Sequence, residues 1–200
     1  MDKVFRSALG MRKMFGMQSA IKNFSKKRAI EPFGGNEVVK KHPPANPLRL
    51  KGKYGLITGG SNGVGKSTSE LFVESGIEGL TIADWDAKKG KEVAEKINDV
   101  NKRLVAKFIH TDVSNDEQVS RLFVEHMQRF GKLNILFNNA GILLGGDDGP
   151  TNTDFDTYNK TMDVNVKGVF LCHKYGIPEI LKSGGGSIIN VASIVALSGS

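Results

Sequence analysis

The spacing of apolar positions switches back and forth along most of the chain. Residues 54–58 form a short apolar run ending in glycines, which predicts a strand. Residues 65–75 follow at helical spacing, with Leu71 and Phe72 expected inward and Gly76 just past the helix end. A second strand is predicted over 80–83, then a helix carrying Val93, Ala94, Ile97 and Val100 on its inner face. The third strand, 104–109, precedes a helix opened by the capping-box pair Ser114 and Glu117. That helix turns Val119, Leu122, Phe123, His126 and Phe130 inward and stops at Gly131, and His126 on this apolar face reads as core. Residues 133–137 give a fourth strand and 187–191 a fifth. Between them 153–182 is mostly helix, in two pieces meeting near 164–168. Strands separated by helices of ten or more residues need crossover connections, so the expected fold is α/β, a doubly wound parallel sheet with helices on both faces.

Charge divides the chain. Residues 1–53 hold thirteen Lys and Arg against three acids, whereas 54–200 hold fifteen against eighteen. The first thirty residues are basic and have Asp2 as their only acid, with Val4, Phe5, Leu9, Phe15 and Ile21 among apolar positions at near-helical spacing. An organelle presequence has this character, and so does an ordinary solvated tail, so a mitochondrial address stands beside a cytoplasmic one. Three prolines within 42–47 disfavour helix and central strand and mark a linker. Residues 1–48 are therefore expected to be a basic extension with a Pro-rich linker, and 49–200 the folded domain. The domain is slightly acidic and gives no electrostatic reason to expect nucleic acid. No apolar run approaches the ~18 residues of a membrane span. The lone Cys172 lies in an apolar run and reads as a buried, inert thiol of a reducing compartment.

Residues 58–67, Thr-Gly-Gly-Ser-Asn-Gly-Val-Gly-Lys-Ser, join the first strand to the first helix. Glycines there let backbone approach a ligand closely, and a helix N-terminus offers N–H groups and partial positive charge to phosphate. Two patterns fit at once. Gly60 to Ser67 matches the P-loop of nucleotide triphosphatases, with Lys66 for the phosphates and Ser67 for magnesium. Thr58 to Gly65 matches a dinucleotide-binding Thr-Gly-x-x-x-Gly-x-Gly loop, and a bare turn without ligand is the third reading. Asp84 ends the second strand nineteen residues after Gly65, where an acid for adenosine ribose hydroxyls is expected, although a magnesium acid would also stand there.

Four later features favour the dinucleotide reading. They are Asp112-Val113 after the third strand, Asn138-Asn139-Ala140-Gly141 after the fourth, Asn165 within the long helical region, and Ser193 after the fifth strand. In order and spacing the whole set resembles the short-chain dehydrogenase/reductase family over residues 50–200, a family of Rossmann folds. The resemblance implies an NAD(P)-dependent oxidoreductase moving a hydride between nicotinamide and an alcohol or ketone. It implies that Thr58, Gly59, Ser61, Asn62, Gly63, Val64, Gly65, Asp84, Asp112, Val113, Asn139, Ala140 and Gly141 hold the cofactor, with no metal. Ser193 would bond the substrate oxygen, and Asn165 would hold a water of a proton relay. Lys66 becomes a solvated helix residue. Asp84 favours NAD over NADP, since a carboxylate repels a 2′-phosphate and the neighbouring Asn62 and Trp85 are not basic.

The family's acid/base Tyr-x-x-x-Lys lies further beyond the Ser than this sequence extends, and none of Tyr54, Tyr158 or Tyr175 is followed by Lys at the fourth position. The expectation is a fragment inactive alone, with the sheet incomplete on its C-terminal side and 187–195 a hydrophobic edge. A homo-oligomer is expected of the full-length protein. A non-catalytic nucleotide-binding protein or a P-loop triphosphatase is the alternative reading. Residues 145–150, which hold Asp147 and Asp148 among Gly and Pro, read as a solvated turn.

Overall fold

A computed structural model describes residues 48–193. The expectations for the basic extension and for Ile194 and Val195 lie outside the described residues. Five strands, β1 (Tyr54–Thr58), β2 (Gly79–Asp84), β3 (Ala106–His110), β4 (Ile135–Asn138) and β5 (Ser187–Asn190), form one sheet. All neighbours are parallel, in the order β3-β2-β1-β4-β5. Helices α1 (Gly63–Glu74), α2 (Ala87–Asn101), α3 (Asp116–Phe130), α4 (Phe155–Met162) and α5 (Gly168–Lys182) supply the crossovers. The doubly wound α/β fold is as the spacing predicts.

Alternation along each strand splits the core between two faces. Ile57, Ile82 and Phe137 join Val73 of α1 and Val93, Ala94 and Ile97 of α2 on one side. Leu56, Ala83 and Leu136 join Leu122 and Phe123 of α3 and Leu171, Cys172 and Ile180 of α5 on the other. All six residues of β2 are buried, whereas β5 at the sheet edge is half to fully exposed. Burial drives the Cys172 thiol up to about 12, in keeping with an inert core group.

Several local expectations are corrected. α1 turns Gly65, Ser69 and Val73 to the sheet and packs a half-buried Phe72 against the same core as expected, but leaves Leu71 42% exposed. At Gly65 the helix lies so close to the Gly59 carbonyl that a Cβ has no room. In α2, Val100 is 74% exposed because Gly90, Val93, Ala94 and Ile97 already complete the inner stripe, and the helix ends one residue later. β3 begins at Ala106, and Leu104 lies before it in solvent. The cap of α3 is Asn115, whose side chain accepts from the Gln118 N–H at 3.0 Å. Ser114 is drawn instead to Asp112, donating through its N–H and its hydroxyl to Oδ1 at 2.9 and 2.7 Å. The junction expected near 164–168 is real: Asp163–Lys167 is wound as a π-helix between α4 and α5.

His126 is fully buried in the α3 face. The Lys132 carbonyl at 2.9 Å can only accept, so Nε2 carries the proton and Nδ1 accepts from the Thr81 hydroxyl at 2.8 Å. Both ring nitrogens are thus used within the core.

Candidate active site

The sheet reverses its winding between β1 and β4, and ligands of such sheets bind beyond the carboxyl ends of the strands at that point. A cleft of about 500 Å³ lies there. Four stretches meet in it: 59–63, 84–89, 111–114 and 139–142, together with Val164.

Glycines build its floor. Gly59 has φ +63°, and a Cβ there would lie 2.9 Å from Ala140 Cα. A Cβ on Gly65 would overlap the Gly59 carbonyl oxygen, so the first turn of α1 can press on the loop only with glycine at that position. The loop is then pinned from β4. The Thr58 hydroxyl accepts from the Asn139 and Ala140 N–H groups, both at 3.1 Å. The Asn139 amide donates to the Thr58 and Gly59 carbonyls at 3.1 and 3.0 Å. Asn138 performs the matching task toward β5, donating to Asn190 Oδ1 at 2.8 Å.

The start of α1 is left open. Asn62 at its N-cap makes no side-chain cap bond, and its first turn holds no acid. Gly63, φ +48°, faces open space within 4 Å of where a Cβ would stand. An uncapped N-terminus beside an open glycine fits a phosphate group. Asp84, almost buried, faces the same cleft. One carboxylate oxygen accepts from the Ser61 N–H and the other from the Asp86 N–H, each at 3.0 Å. The glycine loop before the open helix start and the Asp84 carboxylate are thereby fixed to each other. A pyrophosphate-bridged dinucleotide fits this donor and acceptor set.

Of the thirteen cofactor residues read from the sequence, ten line the cleft: Gly59, Ser61, Asn62, Gly63, Asp84, Asp112, Val113, Asn139, Ala140 and Gly141. Thr58 lies beneath as a brace, Gly65 is packed under the loop, and Val64 is exposed on α1. Lys66, also on α1, does not line it. Asn165 sits in the π-helical turn and brackets Ile142, accepting from its N–H and donating to its carbonyl, both at 2.8 Å. Ser193 follows β5 in an exposed position. Neither Asn165 nor Ser193 is among the residues lining the cleft.

Sequence reasoning missed Asp86, Lys89, Thr111, Ser114, Ile142 and Val164 as lining residues, and weighed Trp85 only for its lack of charge. Trp85, 76% exposed on the rim, is the chain's single tryptophan. Asp86 and Lys89 carry a legible signal, a helix N-cap and a base one turn later, but nothing in the spacing says that this turn faces the ligand. Among the described residues no group of His, Cys, Asp or Glu is gathered to hold a metal, and no helix is long and apolar enough to cross a membrane. The acids of the 145–150 turn are occupied locally, Asp147 accepting from Thr161 and Asp148 from Asn152.

Comparison with known proteins places the chain in a family. The chain is 43% identical over 154 residues to an uncharacterized oxidoreductase of Thermotoga maritima, covering 76% of this chain and 58% of that protein. It is 37% identical over 155 residues to a trans-4-hydroxycyclohexanecarboxylate dehydrogenase of Sinomonas cyclohexanicum, again 76% and 58%. With secoisolariciresinol dehydrogenase of Forsythia intermedia it shares 35% over 151 residues, 76% of this chain and 53% of the relative. The chain thus spans just over half the length of these relatives. The sequence model of the short chain dehydrogenases matches residues 53–200, which include the glycine loop, Asp84, the Asn139 brace and Ser193, and the chain belongs to that family.

Proposed function

We propose that this chain is the cofactor-binding part of an oxidoreductase that moves a hydride between a nicotinamide dinucleotide and the alcohol or ketone carbon of a small organic substrate. The observation that carries the reading is the pairing of an open helix start with a carboxylate in one cleft. Gly63 and the uncapped first turn of α1 receive the pyrophosphate, and Asp84 receives ribose hydroxyls. The nicotinamide supplies the hydride donor or acceptor.

The chain's own residues orient and handle protons. Ser193 bonds the substrate oxygen as charge develops on it. The Asn165 amide is engaged on Ile142, so its part is to fix the π-helical turn against the cleft segment 139–142. With Asp84 already holding the Ser61 N–H, an added 2′-phosphate would meet a fixed negative charge, which favours NAD over NADP.

Titration of the chain with NADH, NADPH and Mg-ATP, followed by Trp85 emission and thermal protection, tests the reading. NADH should bind most tightly. Protection by Mg-ATP without protection by NADH would defeat the proposal in favour of a triphosphatase, and tighter NADPH binding would defeat the NAD preference alone.

A further inference from the structure

The adenosine side of the cleft carries more charge than Asp84. Its charged lining consists of Asp84, Asp86 and Asp112 against Lys89, the one lining cation among the described residues. Asp86 and Lys89 are coupled twice. The Asp86 carboxylate caps α2 by accepting from the Lys89 N–H at 3.0 Å, and its other oxygen lies 3.2 Å from the Lys89 ammonium. The two Lys89 groups hold this carboxyl below the usual carboxylate range, the backbone N–H contributing most, so it is ionised at neutral pH. Asp86 is also tied back to Asp84, whose Oδ1 accepts the Asp86 N–H, so the turn 84–86 presents both acids at one edge.

An added phosphate at this edge needs donors. Lys89 carries two, its first-turn N–H and its ammonium, and Asp86 occupies both. Resting on the dinucleotide reading above, we propose that Asp86 is a second specificity residue of the cleft, which rejects the 2′-phosphate of NADP by holding Lys89 neutralised and the start of α2 closed. Asp84 supplies repulsion at the ribose, whereas Asp86 withholds the cation that would otherwise compensate it.

Asn accepts a helix-cap bond as Asp does, so Asp86→Asn removes the charge and keeps the cap. Dissociation constants for NADH and NADPH, read from Trp85 emission on the full chain, give the test. In D86N the ratio of the NADPH constant to the NADH constant should fall about fivefold, the effect of one unit charge removed near the ligand in a mostly aqueous setting. Adding Lys89→Gln to D86N should return the ratio to near its starting value. An unchanged ratio in D86N, or a fall that survives the loss of Lys89, overturns this proposal while tight NADH binding leaves the dinucleotide reading standing. Failure of the unaltered chain to bind either nucleotide overturns both. Thermal midpoints of the variants within about 2 °C of the parent confirm that the cap was kept.

Discussion

Two asparagines stand at the same position of two helices and do opposite things. Asn115, before α3, accepts the Gln118 N–H, and Asp116 and Glu117 follow it in the first turn. Asn62, before α1, has the extended backbone of a cap but makes no such bond, and no acid follows. The starts of α2 and α4 side with α3, closed by Asp86 and Asp154. A capped start satisfies an N–H and lowers the helix energy by about 1 kcal/mol, so leaving one open costs stability. The open start lies in the cleft, where it faces the same space as the closed start of α2. The difference teaches that the site is marked less by special residues than by ordinary ones left unused.

The contrast can be broken most forcefully at Gly65→Ala. Its methyl group has no room against the Gly59 carbonyl, so the chain should lose about 3 kcal/mol in urea unfolding together with measurable NADH binding. The closed helix has a test of comparable size on its inner face. Burial lowers the pKa of His126 from 6.5 to about 4, so between these values the unfolded chain binds the proton first. Stability contributed by the neutral ring is complete above pH 6.5 and is lost as pH falls toward 4, up to about 3 kcal/mol. Urea midpoints from pH 7 to 4.5 should show this decline, with a shallower slope in His126→Asn.

A charge placed at each start sharpens the comparison further. Asn62→Asp puts a carboxylate at the helix start proposed to receive the pyrophosphate and should weaken NADH about tenfold, whereas Asn115→Asp should leave the dissociation constant within about twofold. The smallest effect concerns capping itself. Asn115→Ala should cost about 1 kcal/mol, and Asn62→Ala no more than a few tenths, because only the former loses a bond. Equal losses would show that the α1 start is closed in solution.

Much of this architecture is legible in the sequence. Val93, Ala94 and Ile97, or Val119, Leu122 and Phe123, repeat at helical spacing because burial on one helix face demands it. The same reasoning misplaced Leu71, since apolar size is a poor guide where the first turn of a helix lies directly on a backbone, and the inner stripe falls to Gly65, Ser69 and Val73. It misassigned the cap of α3 because Ser114 has a stronger local partner in Asp112 than in its own helix. Lining residues were missed at Asp86, Lys89 and Ile142 for a related reason: a side chain's periodicity reports which way it faces the core and is silent about which solvent-facing turn meets a cleft.

The sequence by itself determined the order and kind of the elements, the parallel sheet, and the set of residues that mark the family. Those properties follow from local periodicity, turn chemistry and the need for crossovers. Only the tertiary structure decided how those residues are used. Asn139 is a brace on a loop some eighty residues earlier, Asn165 a bracket on Ile142, and Asp84 a tie to Ser61 and Asp86. Asn62 is left open and Asn115 closed. Hydrogen bonds between distant segments depend on distances that chain spacing does not fix, so which polar atoms are engaged and which remain for a ligand is settled only when the strands have paired.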